Sequence, residues 1–149
     1  MTDAVRTRDA DWRRPLVAAF VANTLWINAS EVFRYFALVM PMMRSALPQI
    51  PDVAPMNLPV FAIWGVWDTI LVAVATGFAW LFFERLGGGC RNALLAGTAI
   101  WLAIFCIFWL AAFNMNLAPG NVALTALPLA WLEMVVAAGI VDLCRTRFE

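Results

Sequence analysis

Apolar residues run through this chain in four long blocks, Pro15 to Met40, Leu58 to Phe83, Asn92 to Phe113 and Val122 to Val141. Polar residues are scarce inside the blocks and gather between them. A helix rising about 1.5 Å per residue needs roughly 20 apolar residues to cross some 30 Å of hydrocarbon, and each block meets or approaches that length. The block "LLAGTAIWLAIFCIFWLAAF" shows none of the alternation that an outer-membrane barrel strand requires. The pattern therefore predicts an all-α, polytopic membrane protein with four transmembrane helices.

The segments between the blocks predict how the helices connect. The second connection, "ERLGGGCRN", and the third, "NMNLAPGN", are short, so successive helices should be antiparallel neighbours in a compact bundle. The first is longer and carries Pro41, Pro48, Pro51, Pro55 and Pro59. Proline lacks an N–H and clashes with the preceding turn, so the first helix is expected to stop near Met40. Residues 41–57 then form an outer segment, either a cap over a pocket or an interfacial linker. The expected organisation is a cytoplasmic arm at 1–14, a transmembrane domain at 15–143 and a cytoplasmic tail at 144–149.

Small residues four apart, Ala18 with Ala22, Ala73 with Gly77 and Ala93 with Gly97, would permit close contact between backbones. Trp12 is expected near one interface, Trp109 and Phe113 near the other.

Composition agrees with the pattern. Of 149 residues, 64% are hydrophobic and 13% charged, with a mean hydropathy of +0.81; soluble domains carry about 25% charged residues. All ten basic residues are Arg, and no His is present. Arg6, Arg8, Arg13 and Arg14 precede the first block, Arg85 and Arg91 flank the second connection, and Arg145 and Arg147 follow the fourth block. The positive-inside rule then places both termini in the cytoplasm, in a bacterial-type inner membrane. "RTRDADWRR" is followed by too long an apolar run to be a cleavable signal. These arginines suit anionic headgroups, and no nucleic-acid partner is expected.

The absence of His and of paired Cys argues against transition-metal, haem and Ser-His-Asp chemistry. No phosphate-binding or dinucleotide fingerprint occurs. No cofactor or metal is expected; a hard cation held by three acids is the one metal arrangement the residue types leave open.

Those acids are the candidate chemistry. Glu31, Asp68 and Glu133 fall inside the first, second and fourth blocks. An ionisable residue at the centre of a bilayer helix costs about 2.5 to 3.5 kcal/mol on insertion scales, so each needs a partner, a proton or a function. Counted inward from Met40, Leu58 and Val122, they lie at about the same depth, roughly 14 to 17 Å.

In the first block, Thr24, Asn28, Glu31 and Tyr35 follow one helical stripe, with Arg34 three residues from Glu31. Trp64 shares a face with Asp68, while Ala126, Ala130 and Ala137 leave space beside Glu133. Pro128 lies one turn outward of Glu133, where it can free a carbonyl toward the interior. The third block carries few polar groups and should serve as a wall.

One reading of this layer is an enzyme that uses carboxylate acid/base chemistry to isomerise, cyclise or open an epoxide in a small lipophilic substrate. Asp68 is then the proton donor, Glu31 the base or charge stabiliser and Glu133 the third partner. Asn28, Arg34, Tyr35, Trp64, Trp67 and Trp131 would bind the substrate or support these acids. Two other readings compete. The layer could fix packing in a homodimer or a larger membrane complex, or serve a proton-coupled transporter of a small molecule or cation. A structural version of the Glu31–Arg34 pair has Arg34 snorkelling from the helix end to the headgroups.

Overall fold

In a computed structural model, which describes residues 12–148, all regular structure among the described residues is helical. The arm arginines Arg6 and Arg8 lie outside the described residues. Helix α1 spans Arg13–Ala46, α2 Leu58–Leu86, α3 Cys90–Asn114 and α4 Gly120–Phe148. All four are long and apolar enough to cross a membrane. They form a compact four-helix membrane-spanning bundle in which α4 packs against the other three.

The surface of this bundle is apolar. Leu25, Leu58, Ile63, Leu110 and Leu124 are each at least two-thirds exposed, and they come from all four helices. Such a belt would drive a water-soluble bundle to aggregate, whereas lipid solvates it without cost. The core is built largely from small residues: Ala19, Ala75, Ala79, Ala96, Ala130, Ala137 and Ala138 are buried. With no hydrophobic drive between helices in lipid, close backbone approach supplies the packing. Gly97 shows how close: a Cβ there would lie 2.5 Å from the Cα of Val135. The spacing Ala93–Gly97 thus lies on the α3–α4 contact, while Ala73 is exposed and the buried stripe of α2 runs through Ala75 and Ala79.

α1 does not stop near Met40. It continues through Pro41 to Ala46, so that the first connection begins at Leu47. A π-helical turn at Tyr35–Val39 explains this, because the Met40 N–H donates to the Tyr35 carbonyl five residues back. The wider turn relieves the clash that Pro41 would make with a regular preceding turn. The ring also stands at the first positions of the α-helical segment that follows, where its missing N–H is tolerated. A second π-helical turn, Leu102–Cys106, interrupts α3.

The other helix ends follow from local chemistry. Asn57 caps α2 by accepting the Val60 N–H at 3.1 Å. Gly87 and Gly89 adopt φ of 78° and 106°, a region costly for other residues, and end α2 in a tight turn. Asn92 Nδ2 donates to the Leu86 and Gly87 carbonyls, and the Gly89 N–H donates to Asp142 Oδ2 at 2.8 Å, tying the turn to α4. α4 contains Pro128 and stays helical as far as Phe148, into the segment expected to form the tail.

A carboxylate–arginine layer beneath an aromatic cavity

The buried face of α1 carries Ala19, Asn23, Ile27, Glu31 and Arg34. It lies beside the expected stripe and shares only Glu31 with it. Thr24 Oγ1 donates to the Phe20 carbonyl and Asn28 Nδ2 to the Thr24 carbonyl, so both serve their own helix. Asn23 points inward instead, donating to Thr76 Oγ1 at 3.0 Å and to the Ala137 carbonyl at 3.3 Å.

Arg34 is the hub of the layer. Only 6% exposed, it turns inward, and its position well inside α1 replaces the expected snorkelling. Nη2 donates to Glu31 Oε1, and Nη1 donates to Glu133 Oε2 at 3.0 Å. Ser30 Oγ donates to the same Glu133 oxygen at 2.6 Å, and Trp26 Nε1 donates to the Glu133 backbone carbonyl at 3.0 Å. The guanidinium carbon stands 5.2 Å from the centre of the Phe105 ring, a cation–π contact with the second π-helical turn. Both departures from regular helix therefore flank Arg34.

Glu133 is fully buried, flanked by the buried Ala126, Ala130 and Ala137 of its own helix. Asp68 is 4% exposed and lies within electrostatic reach of Glu31, Arg34 and Glu133. Asp68 Oδ1, Glu133 Oε1 and Asn23 Oδ1 have no hydrogen-bond partner among the described residues. Two carboxylates bond the guanidinium and Asp68 stands nearby without bonding it, so full ionisation of the three would leave the layer with a net charge of −2. Burial makes such an excess costly, and a bound proton or cation would relieve it. Among the described residues, no group of three His, Cys, Asp or Glu side chains is placed to hold a metal ion.

Above the layer opens a cavity of about 540 Å³. Glu31 and Arg34 form its polar floor, and the rings of Tyr35, Trp64, Trp67, Phe105, Phe108 and Trp109 stand in a wall that aliphatic and methionine side chains complete. Tyr35 and Trp64 pack at 5.1 Å between ring centres, Trp67 and Phe108 at 6.1 Å. Met43 at the end of α1 and Ala54 and Met56 of the proline-rich segment also line the cavity. Two hydrogen bonds hold that segment, Tyr35 Oη to the Pro55 carbonyl at 3.3 Å and Arg44 Nη2 to the Ala54 carbonyl at 3.2 Å. A second, smaller cavity of about 320 Å³ lies between α1 and α4, lined in part by Ser30, Arg34 and Glu133.

The structure thus brings Glu31, Arg34, Tyr35, Trp64 and Trp67 to one cavity and joins Glu133 to it through Arg34. Asp68, the expected proton donor, lies outside its lining, as do Asn28 and Trp131; Trp131 Nε1 donates to Thr98 Oγ1 at 3.0 Å. Sequence reasoning missed Ser30, Asn23 and Phe105. The first two could have been found from helical spacing, because Asn23, Ile27, Ser30 and Arg34 fall on one stripe. The role of Phe105 depends on a π-helical turn that leaves no residue signature.

Compared with protein-family models, with curated proteins and with solved structures, the chain matches none of them. What is established is the class that fold and site define, a four-helix membrane-spanning bundle with a buried carboxylate–arginine network.

Proposed function

We propose that the protein is a membrane-embedded enzyme that performs carboxylate acid/base chemistry on a small lipophilic substrate. The observation that carries this reading is the placement of Glu31 and Arg34 at the floor of an otherwise apolar, aromatic cavity. A cavity of this volume accommodates a small organic molecule, and its few polar groups converge on one end. The arginine distribution supports an antiparallel bundle with both termini cytoplasmic, so the cavity faces the outer leaflet and a substrate enters from the bilayer or the outer surface.

The chemistry follows from the surplus of acids. In an isomerisation, a protonated carboxyl group of the layer transfers its proton to one carbon of a C=C bond, whose π electrons form the new C–H bond. The adjacent carbon becomes cationic, and a carboxylate removes a proton from its other neighbour. That C–H pair becomes the new C=C bond, and exchange of the proton within the layer restores the starting state. Glu31 is the group that meets the substrate, while Glu133 and Asp68 tune and resupply it. Tyr35, whose hydroxyl donates to the Pro55 carbonyl, holds the outer segment beside the cavity.

A second reading has one specific observation in its favour. Arg34 and Ser30 join α1 to Glu133 of α4, which a purely structural clasp would also do. Incubating a membrane lipid extract with the protein in nanodiscs separates the two. Untargeted mass spectrometry should find a lipophilic compound converted by the wild type and left unchanged by folded Glu31→Gln. Identical extracts from both proteins would defeat the enzymatic reading and leave the clasp.

A further inference from the structure

The floor and wall of the cavity are chemically matched, and together they define which charge a ligand can bring. Arg34, the one guanidinium lining the cavity among the described residues, bonds Glu31 and Glu133 at once, so its positive charge is already compensated. With a single carboxylate ionised the layer is neutral, and every further ionisation makes it more negative. An anionic headgroup would meet no free positive charge there. Arg44, the nearby basic residue, donates to the Ala54 carbonyl at the exposed rim and is absent from the cavity lining.

The wall adds a second selection in the same direction. Aromatic faces carry negative quadrupole potential and attract cations within about 6 Å of the ring centre. Phe105 already receives the Arg34 guanidinium in this way at 5.2 Å. Trp64, Trp67 and Trp109 stand around the same space, and Trp is the strongest partner for such contacts. Asp68 Oδ1 and Glu133 Oε1, buried acceptors without partners among the described residues, belong to the layer below and add acceptor potential.

We infer that the cavity is a binding site for a hydrophobic organic cation, an apolar body carrying an ammonium-type or otherwise delocalised positive charge. This rests on the proposed reading of the cavity as a substrate site and deepens it. The same selectivity favours reactions that build positive charge on a substrate carbon, as protonation of an olefin does.

Three probes of similar shape test the inference on the wild-type protein: tetraphenylphosphonium, tetraphenylborate and neutral triphenylphosphine oxide. Binding is read by quenching of tryptophan fluorescence in detergent and checked by equilibrium dialysis. The phosphonium should bind saturably and at least about tenfold more tightly than either other probe, a factor equal to 1.4 kcal/mol. Trp67→Leu, a substitution at a half-exposed position, should weaken phosphonium binding several-fold and leave the oxide nearly unchanged. Tighter binding of the borate or the oxide overturns the charge selectivity while leaving a lipophile site in place. Failure of all three to bind overturns both the inference and the reading beneath it.

Discussion

The bundle has two unlike halves separated by the Arg34 layer. Toward the glycine-rich turn the helices close on alanine, and Phe83, Val72 and Val141 are buried to 1% exposure or less. Toward the proline-rich segment Ala112, Ala118 and Val122 are buried, but the rings of Tyr35, Trp64, Trp67, Phe108 and Trp109 line open volume instead of filling it. The early turns of α2 are exposed at Leu58, Phe61, Ile63, Val66 and Trp67, whereas its later turns are buried at Ala75, Ala79 and Phe83. Small side chains let backbones meet, while rings hold them apart. One bundle can thus be rigid at one end and receptive at the other.

The sharpest way to break this contrast is at the layer between the halves. Arg34→Leu should destabilise the bundle by about 3 to 5 kcal/mol, the usual cost of leaving buried carboxylates without their cation. A lower thermal midpoint in detergent, followed by circular dichroism, would register it. Pairing it with Glu133→Gln should recover part of the loss, because the double variant leaves fewer uncompensated charges.

A second substitution attacks the closed half alone. Gly97→Val forces a branched side chain against the backbone of Val135 and should cost about 1 to 3 kcal/mol of overpacking. Gly65→Ala, where a new Cβ meets nothing within 4 Å, should change stability by no more than about 0.5 kcal/mol. Equal effects at the two glycines would contradict the packing assigned to α3 and α4.

Asn23→Leu gives the smallest effect that decides anything. Its two hydrogen bonds join α1 to α2 and α4, yet such intramembrane contacts average about 0.6 kcal/mol in measured cycles. A shift in midpoint many times smaller than that of Arg34→Leu is expected. A comparable loss would move the structural centre of the bundle from the ion-pair layer to Asn23.

The same division marks what the sequence could reveal. Four helices, and the convergence of acids from three of them, were legible because bilayer thickness fixes both helix length and depth. The inward face of α1 was left with two candidates, since helical spacing fits the stripe of Asn23, Ser30 and Arg34 as well as that of Thr24, Asn28 and Tyr35. The continuation of α1 past Pro41 was hidden, because it depends on the π-helical turn at Tyr35–Val39. Snorkelling was one reading of Arg34, and its choice of Glu133 as a second partner was not legible because it depends on packing between α1 and α4.

Photo-crosslinking offers the most direct test of the central claim, that the open half receives a lipophilic molecule. A small trifluoromethyl-phenyldiazirine would be irradiated with the protein in nanodiscs and the adducts mapped by mass spectrometry. Adducts are expected on Met43, Met56 and Trp109 that excess tetraphenylphosphonium suppresses, while labelling of the lipid-facing Leu25, Leu110 and Leu124 is not competed. Uniform labelling of the perimeter, with the cavity residues unmarked, would contradict the claim.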